Sequence, residues 1–120
     1  MGFFSRFFDR SKIAVGQFKT TPDGRYLYVN AELAQIYGYG SPEQMMIRLR
    51  DIQKQLYVDP VRRLQFVYAM ERDGKVENFE SEILCADGSR LWISENARCV
   101  MDAAGALQHY EGTVVALPGR

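Results

Sequence analysis

The chain has 120 residues, 47% of them hydrophobic, which suffices for one ordinary domain whose core needs neither disulfides nor a metal. Lysine plus arginine and aspartate plus glutamate stand at 15 each, so no net field recommends nucleic acid, an anionic membrane or an acidic substrate. No run approaches the roughly 20 consecutive apolar residues of a membrane span, and the start lacks a secretory apolar stretch, which argues for a cytoplasmic protein without membrane insertion.

Phe3, Phe4, Phe7 and Phe8 recur at helical i, i+3, i+4 spacing, so residues 1–12 are expected to form a short amphipathic helix. Arg6 stands where a myristoylation signal has serine or threonine, which argues against a lipid anchor. Val15 to Thr21 and Arg25 to Val29 are rich in β-branched and aromatic residues, and Thr21-Pro22-Asp23-Gly24 between them predicts an antiparallel hairpin. Asn30 then caps a brief helix over Ala31 to Tyr37 that Gly38 ends. Ser41-Pro42-Glu43-Gln44 joins a cap, an N1 proline and a capping-box glutamine, starting a second helix towards Arg50. Asp59-Pro60 opens a third and longest helix, with Val61, Leu64, Phe66, Val67 and Met70 read as its apolar set, as far as Asp73-Gly74. Three strands finish the chain, about Glu77 to Cys85, Arg90 to Met101 and Leu107 to Leu117, separated by Asp87-Gly88 and by Asp102 to Gly105. The order is ββ, three helices, βββ.

That order carries Pro22-Asp23-Gly24-Arg25, Val29-Asn30, Ile36-Tyr37-Gly38-Tyr39, Asp87 to Ile93 and Glu111 to Val115 in register with the expected elements. In these texts the chain resembles the PAS family over about residues 14 to 117. The resemblance implies an α+β fold with a five-stranded antiparallel sheet, order 2-1-5-4-3, and helices on one face around a pocket. The expected organisation is an N-terminal helix over 1–12, the PAS domain over 13–117 and a tail over 118–120. Such domains sense, dimerise and relay to an effector. The aspartate-led hinge that often follows the last strand in this family is absent here, where the chain reads Val115 to Arg120.

Strand alternation orients the sheet, because residues of one parity share a face. Phe79, Ile83 and Cys85 form the apolar set of the third strand, and Leu91, Ile93, Ala97 and Cys99 that of the fourth, so odd positions are expected to face the helices. A loop Asp87-Gly88-Ser89 sets Ile83 opposite Ile93 and Cys85 opposite Leu91; a loop Asp102 to Gly105 sets Ile93 opposite Val114 and Glu95 opposite Gly112. Tyr110, Val114 and Ala116 then point inward and His109 outward, while Leu84, Trp92 and Val115 make an apolar patch on the outer face.

No Ser-His-Asp or His-Cys constellation and no phosphate loop is present, so the domain is read as non-catalytic. Haem-binding PAS domains carry a histidine on the long helix and photosensory ones a cysteine in the helical segment. Asp59 to Asp73 has no histidine, and Cys85 and Cys99 both fall in strands, so no cofactor, haem, covalent flavin or metal is expected. With Cys85 opposite Leu91, Cys99 lies about eight residues, roughly 25 Å, along the strand, beyond the ~7 Å Cα limit of a disulfide. Tyr37, Tyr39, Met45, Met46, Leu49, Phe66, Met70 and Phe79 are candidates to line a pocket for a non-covalent small ligand. Glu95 is the one charged residue on the inward parity of the fourth strand and needs a partner or a shifted pKa. The expected role is a sensory and dimerisation module, the input domain of a bacterial histidine kinase or diguanylate cyclase in the two-component or similar class. The alternatives are a stand-alone interaction domain or a small-ligand carrier. Phe3, Phe4, Phe7 and Phe8 with Leu84, Trp92 and Val115 are the expected homodimer surfaces, with an effector in cis.

Overall fold

The computed structural model describes residues 13–120 of the chain, so the amphipathic helix expected at Phe3 to Phe8 lies outside the described residues. Its elements run β1 (Gly16–Thr20), β2 (Tyr26–Val29), α1 (Ala31–Ile36), α2 (Pro42–Arg48), α3 (Ile52–Gln55), α4 (Val61–Asp73), β3 (Lys75–Leu84), β4 (Arg90–Met101) and β5 (Leu107–Ala116). The strands form one antiparallel sheet in the order β2-β1-β5-β4-β3, and the helices pack on one of its faces.

Local chemistry sets the helix ends. The Asn30 side chain accepts from Leu33 N at 2.9 Å and from Gln17 N at 2.9 Å, so one amide caps α1 and ties it to β1. Ser41 accepts from Gln44 N with Pro42 behind it, the expected start of α2. Gly74, at φ 76°, closes α4 in the left-handed conformation. One element was not anticipated: α3 is a single turn capped by Asp51, and the chain after it pairs Tyr57 with Ile83 as an isolated bridge. Four residues are too few to show a helical period, but Ile52, Leu56 and Tyr57 are all buried and pin the segment to the core.

The hairpin turns follow one pattern. Thr21 N bonds Arg25 O, Cys85 N bonds Ser89 O, and Asp102 N bonds Ala106 O; each loop of three residues ends in a glycine at φ 84–97°. The left-handed residue therefore occupies the third loop position, as in a type I turn followed by a G1 bulge. This corrects the expected register: Ile83 lies opposite Leu91, not Ile93, and Ile93 lies opposite Ala116, with Glu95 opposite Val114. Each pairing moves by two residues, so parity is kept from Phe79 onward. Before it the irregularity between Val76 and Phe79, with Asn78 at φ 50°, buries Val76 and turns Glu77, expected inward, to the outer side.

Among the described residues, eighteen buried hydrophobic ones, from Phe18 to Val114, form one core between sheet and helices. In α4 the inward face is Arg63, Phe66 and Met70, whereas Val61 and Leu64, expected in the core, are 52% and 56% exposed. The i, i+3, i+7 row through Phe66 sets that face, and Val61 and Leu64 fall on the opposite side of the wheel with Tyr68. Gly112 sits on the inner face of β5 where a Cβ would run into the Asn96 carbonyl oxygen and come within 2.9 Å of Ala97 Cα.

Gly88→Ala leaves the packing untouched, since nothing lies near its missing Cβ, and is expected to cost about 1 kcal/mol through the backbone alone. Gly112→Ala must move a strand and is expected to cost about 1–3 kcal/mol. Urea denaturation of both variants checks the ordering; a Gly112→Ala as mild as Gly88→Ala contradicts it.

Candidate functional site

The inner face of the sheet holds an acid, and the helix layer sets a base against it. Glu95, in the middle of β4, is 7% exposed, and Arg63, in the first turn of α4, is 4% exposed. Both line one internal void with Phe18, Thr20, Tyr26, Tyr37, Ile52, Leu56, Tyr57 and Val114. Its volume of about 10 Å³ is on the order of what the centre of one water molecule requires. Thr20 reaches it from the even, inward parity of β1; it is 2% exposed, and its hydroxyl has no hydrogen-bond partner among the described residues.

Electrostatics follow from the burial. Desolvation raises the Glu95 carboxyl from an ordinary 4.5 to about 7, against the opposing pull first of Arg63 and then of Arg62. The Tyr26 and Tyr37 phenols are pushed well up by burial, Tyr57 is raised for the same reason, and the Glu95 charge adds to all three. Arg63 stacks its guanidinium 5.0 Å above the Phe66 ring, and its Nη2 lies 3.5 Å from the Pro22 carbonyl oxygen, under the β1–β2 turn. Arg62 instead donates to Glu80 O at 2.8 Å and covers the Phe79 ring at 3.6 Å. Among the described residues no direct ion pair joins Glu95 to either arginine.

Of the candidate pocket residues, Tyr37, Met45, Leu49, Phe66 and Met70 are fully packed in the core, and Tyr39, Met46 and Phe79 lie against it, partly buried. Tyr37 and Glu95 reach the void; the others pack around it at a remove. Sequence reasoning missed Thr20, Tyr26, Tyr57 and Arg63. The legible signal was Arg63 itself, three residues before Phe66 and seven before Met70, which places a cation on the same helix face as the apolar row.

The opposite face of the sheet has two halves. Leu84, Trp92 and Val115 are partly buried at one end, with the Arg120 guanidinium 5.0 Å over the Trp92 ring. Val15, just before β1, shares their side and is 41% exposed. At the other end Arg98 donates to Glu111 at 2.9 and 2.6 Å and holds that carboxyl below its usual range. Lys19, Lys75, Glu77 and Tyr28 complete the walls of an open groove of about 510 Å³ there. His109 has the expected outward parity, pairing with Val100, but its side chain is only 13% exposed, with Nε2 3.7 Å from Glu111 Oε1. Cys85 and Cys99 are free thiols, and among the described residues no cluster of potential metal ligands forms. No helix among them is long and apolar enough to cross a membrane.

The family model described as PAS domain matches residues 14–115. The chain belongs to the PAS domain family. Similar solved structures include a PAS domain from Colwellia psychrerythraea, 22% identical with a TM-score of 0.74 over 92% of this chain and 96% of that one. The Drosophila melanogaster Cycle PAS-B with bound ethylene glycol is 10% identical, with a TM-score of 0.71 over 85% and 99%. A sensory box histidine kinase/response regulator from Burkholderia thailandensis is 20% identical, with a TM-score of 0.64 over 89% and 79%. No curated protein matches the chain.

A carboxyl whose folded pKa lies above its unfolded value binds its proton more tightly in the folded state. Its contribution to stability is complete below pH 4.5 and is lost as pH rises through about 7. The loss is about 3 kcal/mol. Glu95→Gln is expected to remove this slope, so that in urea denaturation its advantage over the unmodified chain grows from pH 5 to pH 8. Parallel curves across that range contradict the assignment.

Proposed function

We propose that this PAS domain is a non-catalytic, cytoplasmic sensory and dimerisation module that receives a signal in its core and passes it to an effector such as a histidine kinase or diguanylate cyclase. One observation carries the sensory reading: two unlike charges and an orphaned hydroxyl converge on one void inside an otherwise largely apolar core. A buried ion pair is often no better for stability than well-packed hydrophobic residues, so groups of this kind point to a use. The likeness in fold to a sensory box histidine kinase/response regulator supports the effector class. Cycle PAS-B with bound ethylene glycol offers a precedent in the same fold for a small polar guest. The ligand in this reading is non-covalent, since Cys85 and Cys99 lie outside the helices and His109 lies on the outer face.

Titration with a library of small polar compounds, followed by amide NMR shifts, tests the sensory site. Responses are expected to cluster at Thr20, Tyr37 and Glu95 and to vanish in Arg63→Met/Glu95→Leu. Responses confined to the outer groove, or none at all, count against a core sensor.

The dimer reading rests on the outer face. Val15, Trp92 and Val115 gather at the end of the sheet where the chain enters β1 from residues 1–12, which bring Phe3, Phe4, Phe7 and Phe8. Each such side chain contributes roughly 1.5–3 kcal/mol when fully buried, enough to favour a symmetric contact that covers both surfaces. Sedimentation of the intact chain is expected to show a dimer at tens of micromolar. A truncation starting at Ser11 and Trp92→Ser are expected to shift it to monomer; identical behaviour of all three sinks the interface.

A further inference from the structure

An orphaned hydroxyl and two opposite charges that form no direct ion pair share the core void among the described residues. The Glu95 carboxylate is 7% exposed and has no direct ion pair among the described residues, although the nearest opposing charge, Arg63, lines the same space. Arg63, at 4% exposure, reaches the Pro22 carbonyl oxygen at 3.5 Å, the outer limit of a hydrogen bond, and hydrogen-bonds the Tyr57 side chain, with five N–H donors to place in all. Thr20 Oγ1, fully buried, has no protein partner among the described residues. An unsatisfied buried hydroxyl costs about 1–3 kcal/mol, and native cores rarely tolerate one.

The chemistry of the walls defines what fits. A guest must donate to Glu95, accept from Arg63 and exchange a hydrogen bond with Thr20, which is what a hydroxyl group or a water does. A second full charge has no place there, because Glu95 and Arg63 already balance each other across the space. The volume, about 10 Å³, limits the resident part to about one non-hydrogen atom.

Resting on the reading of the core as the signal-receiving site, we propose that this void binds one small uncharged hydroxyl-bearing molecule, a water or the hydroxyl end of a short alcohol, that bridges Glu95 to Arg63 and is held by Thr20. The bridge gives the Thr20 hydroxyl its missing partner and links the two charges across the void. It also places the sensed molecule in contact with β1, β4 and α4 together, so its loss or exchange is felt by the sheet and the long helix alike.

The experiment uses the full chain in water and NMR. A long-lived water is expected to give cross-relaxation to the Thr20 and Glu95 amides. Methanol or ethanol, titrated in, either leaves that signal unchanged or replaces it with saturable shifts at the same residues; the first assigns a water, the second an alcohol, and both uphold the bridge. Thr20→Val, nearly isosteric, is expected to weaken the bound molecule and raise the Glu95 titration midpoint by about half a pH unit, the equivalent of one lost hydrogen bond. If Thr20→Val fails to fold, the unmodified chain still decides. Absence of both the water signal and alcohol-saturable shifts overturns the bridge. Core-centred responses to larger polar compounds in that case leave the sensory reading standing, and responses at the outer groove alone remove it as well.

Discussion

A carboxyl group at the centre of β4 obliges the surrounding structure to answer it. Glu95 is placed inward by the alternation of the strand, between Ile93 and Ala97 and opposite Phe79 and Val114, out of reach of bulk water. The answer comes from three layers: Arg63 from α4, the phenols of Tyr26 and Tyr57 from the segments flanking the helices, and Thr20 from β1. Arg63 in turn needs Phe66 and Tyr110 beneath its guanidinium and the β1–β2 turn above it. The inward face of α4 and the docking of α3 under Gly24, whose carbonyl accepts from Ile52 N at 2.9 Å, both serve this arrangement.

Such a cluster is poorly explained by stability alone. Apolar residues of similar volume would fill the space, whereas the acid brings a pKa near neutrality and a slope in stability against pH. A domain that keeps an ionisable group poised in its core is responsive there, to protons or to any molecule that changes the hydrogen bonding of the group. The outer face supplies a complementary property, an apolar end near the entry of the chain and a charged end around Arg98 and Glu111. In a symmetric pair the first would carry a core change to a partner surface.

Much of the fold was legible because its signals were local and mutually consistent. Asn30, Ser41 and Asp59 mark helix starts by side-chain acceptors and Gly74 marks a helix end by its left-handed backbone, and the strand order follows from the family texts from Pro22 to Val115. The faces of the residues from Phe79 onward survived an error in register, because mislocating Gly88 within its loop shifts the pairing by two and leaves parity intact, whereas the bulge at Asn78 reversed Val76 and Glu77. Glu95 stood out for the same reason. Its partners did not: Arg63 was hidden by a helix reading that favoured Val61 and Leu64 on hydrophobicity, and Thr20 looked like an ordinary strand residue. The single turn of α3 and the Tyr57–Ile83 bridge depend on tertiary packing, which no period in four residues can reveal.

A double-mutant cycle of Glu95→Gln and Arg63→Met, measured by urea denaturation at pH 8 and pH 5, tests the central pair most directly. Coupling of about 1–3 kcal/mol at pH 8 that shrinks at pH 5, where Glu95 carries its proton, is the predicted result. Additivity within about 0.5 kcal/mol at pH 8 would show that the two charges do not act on each other and would contradict the account of the core.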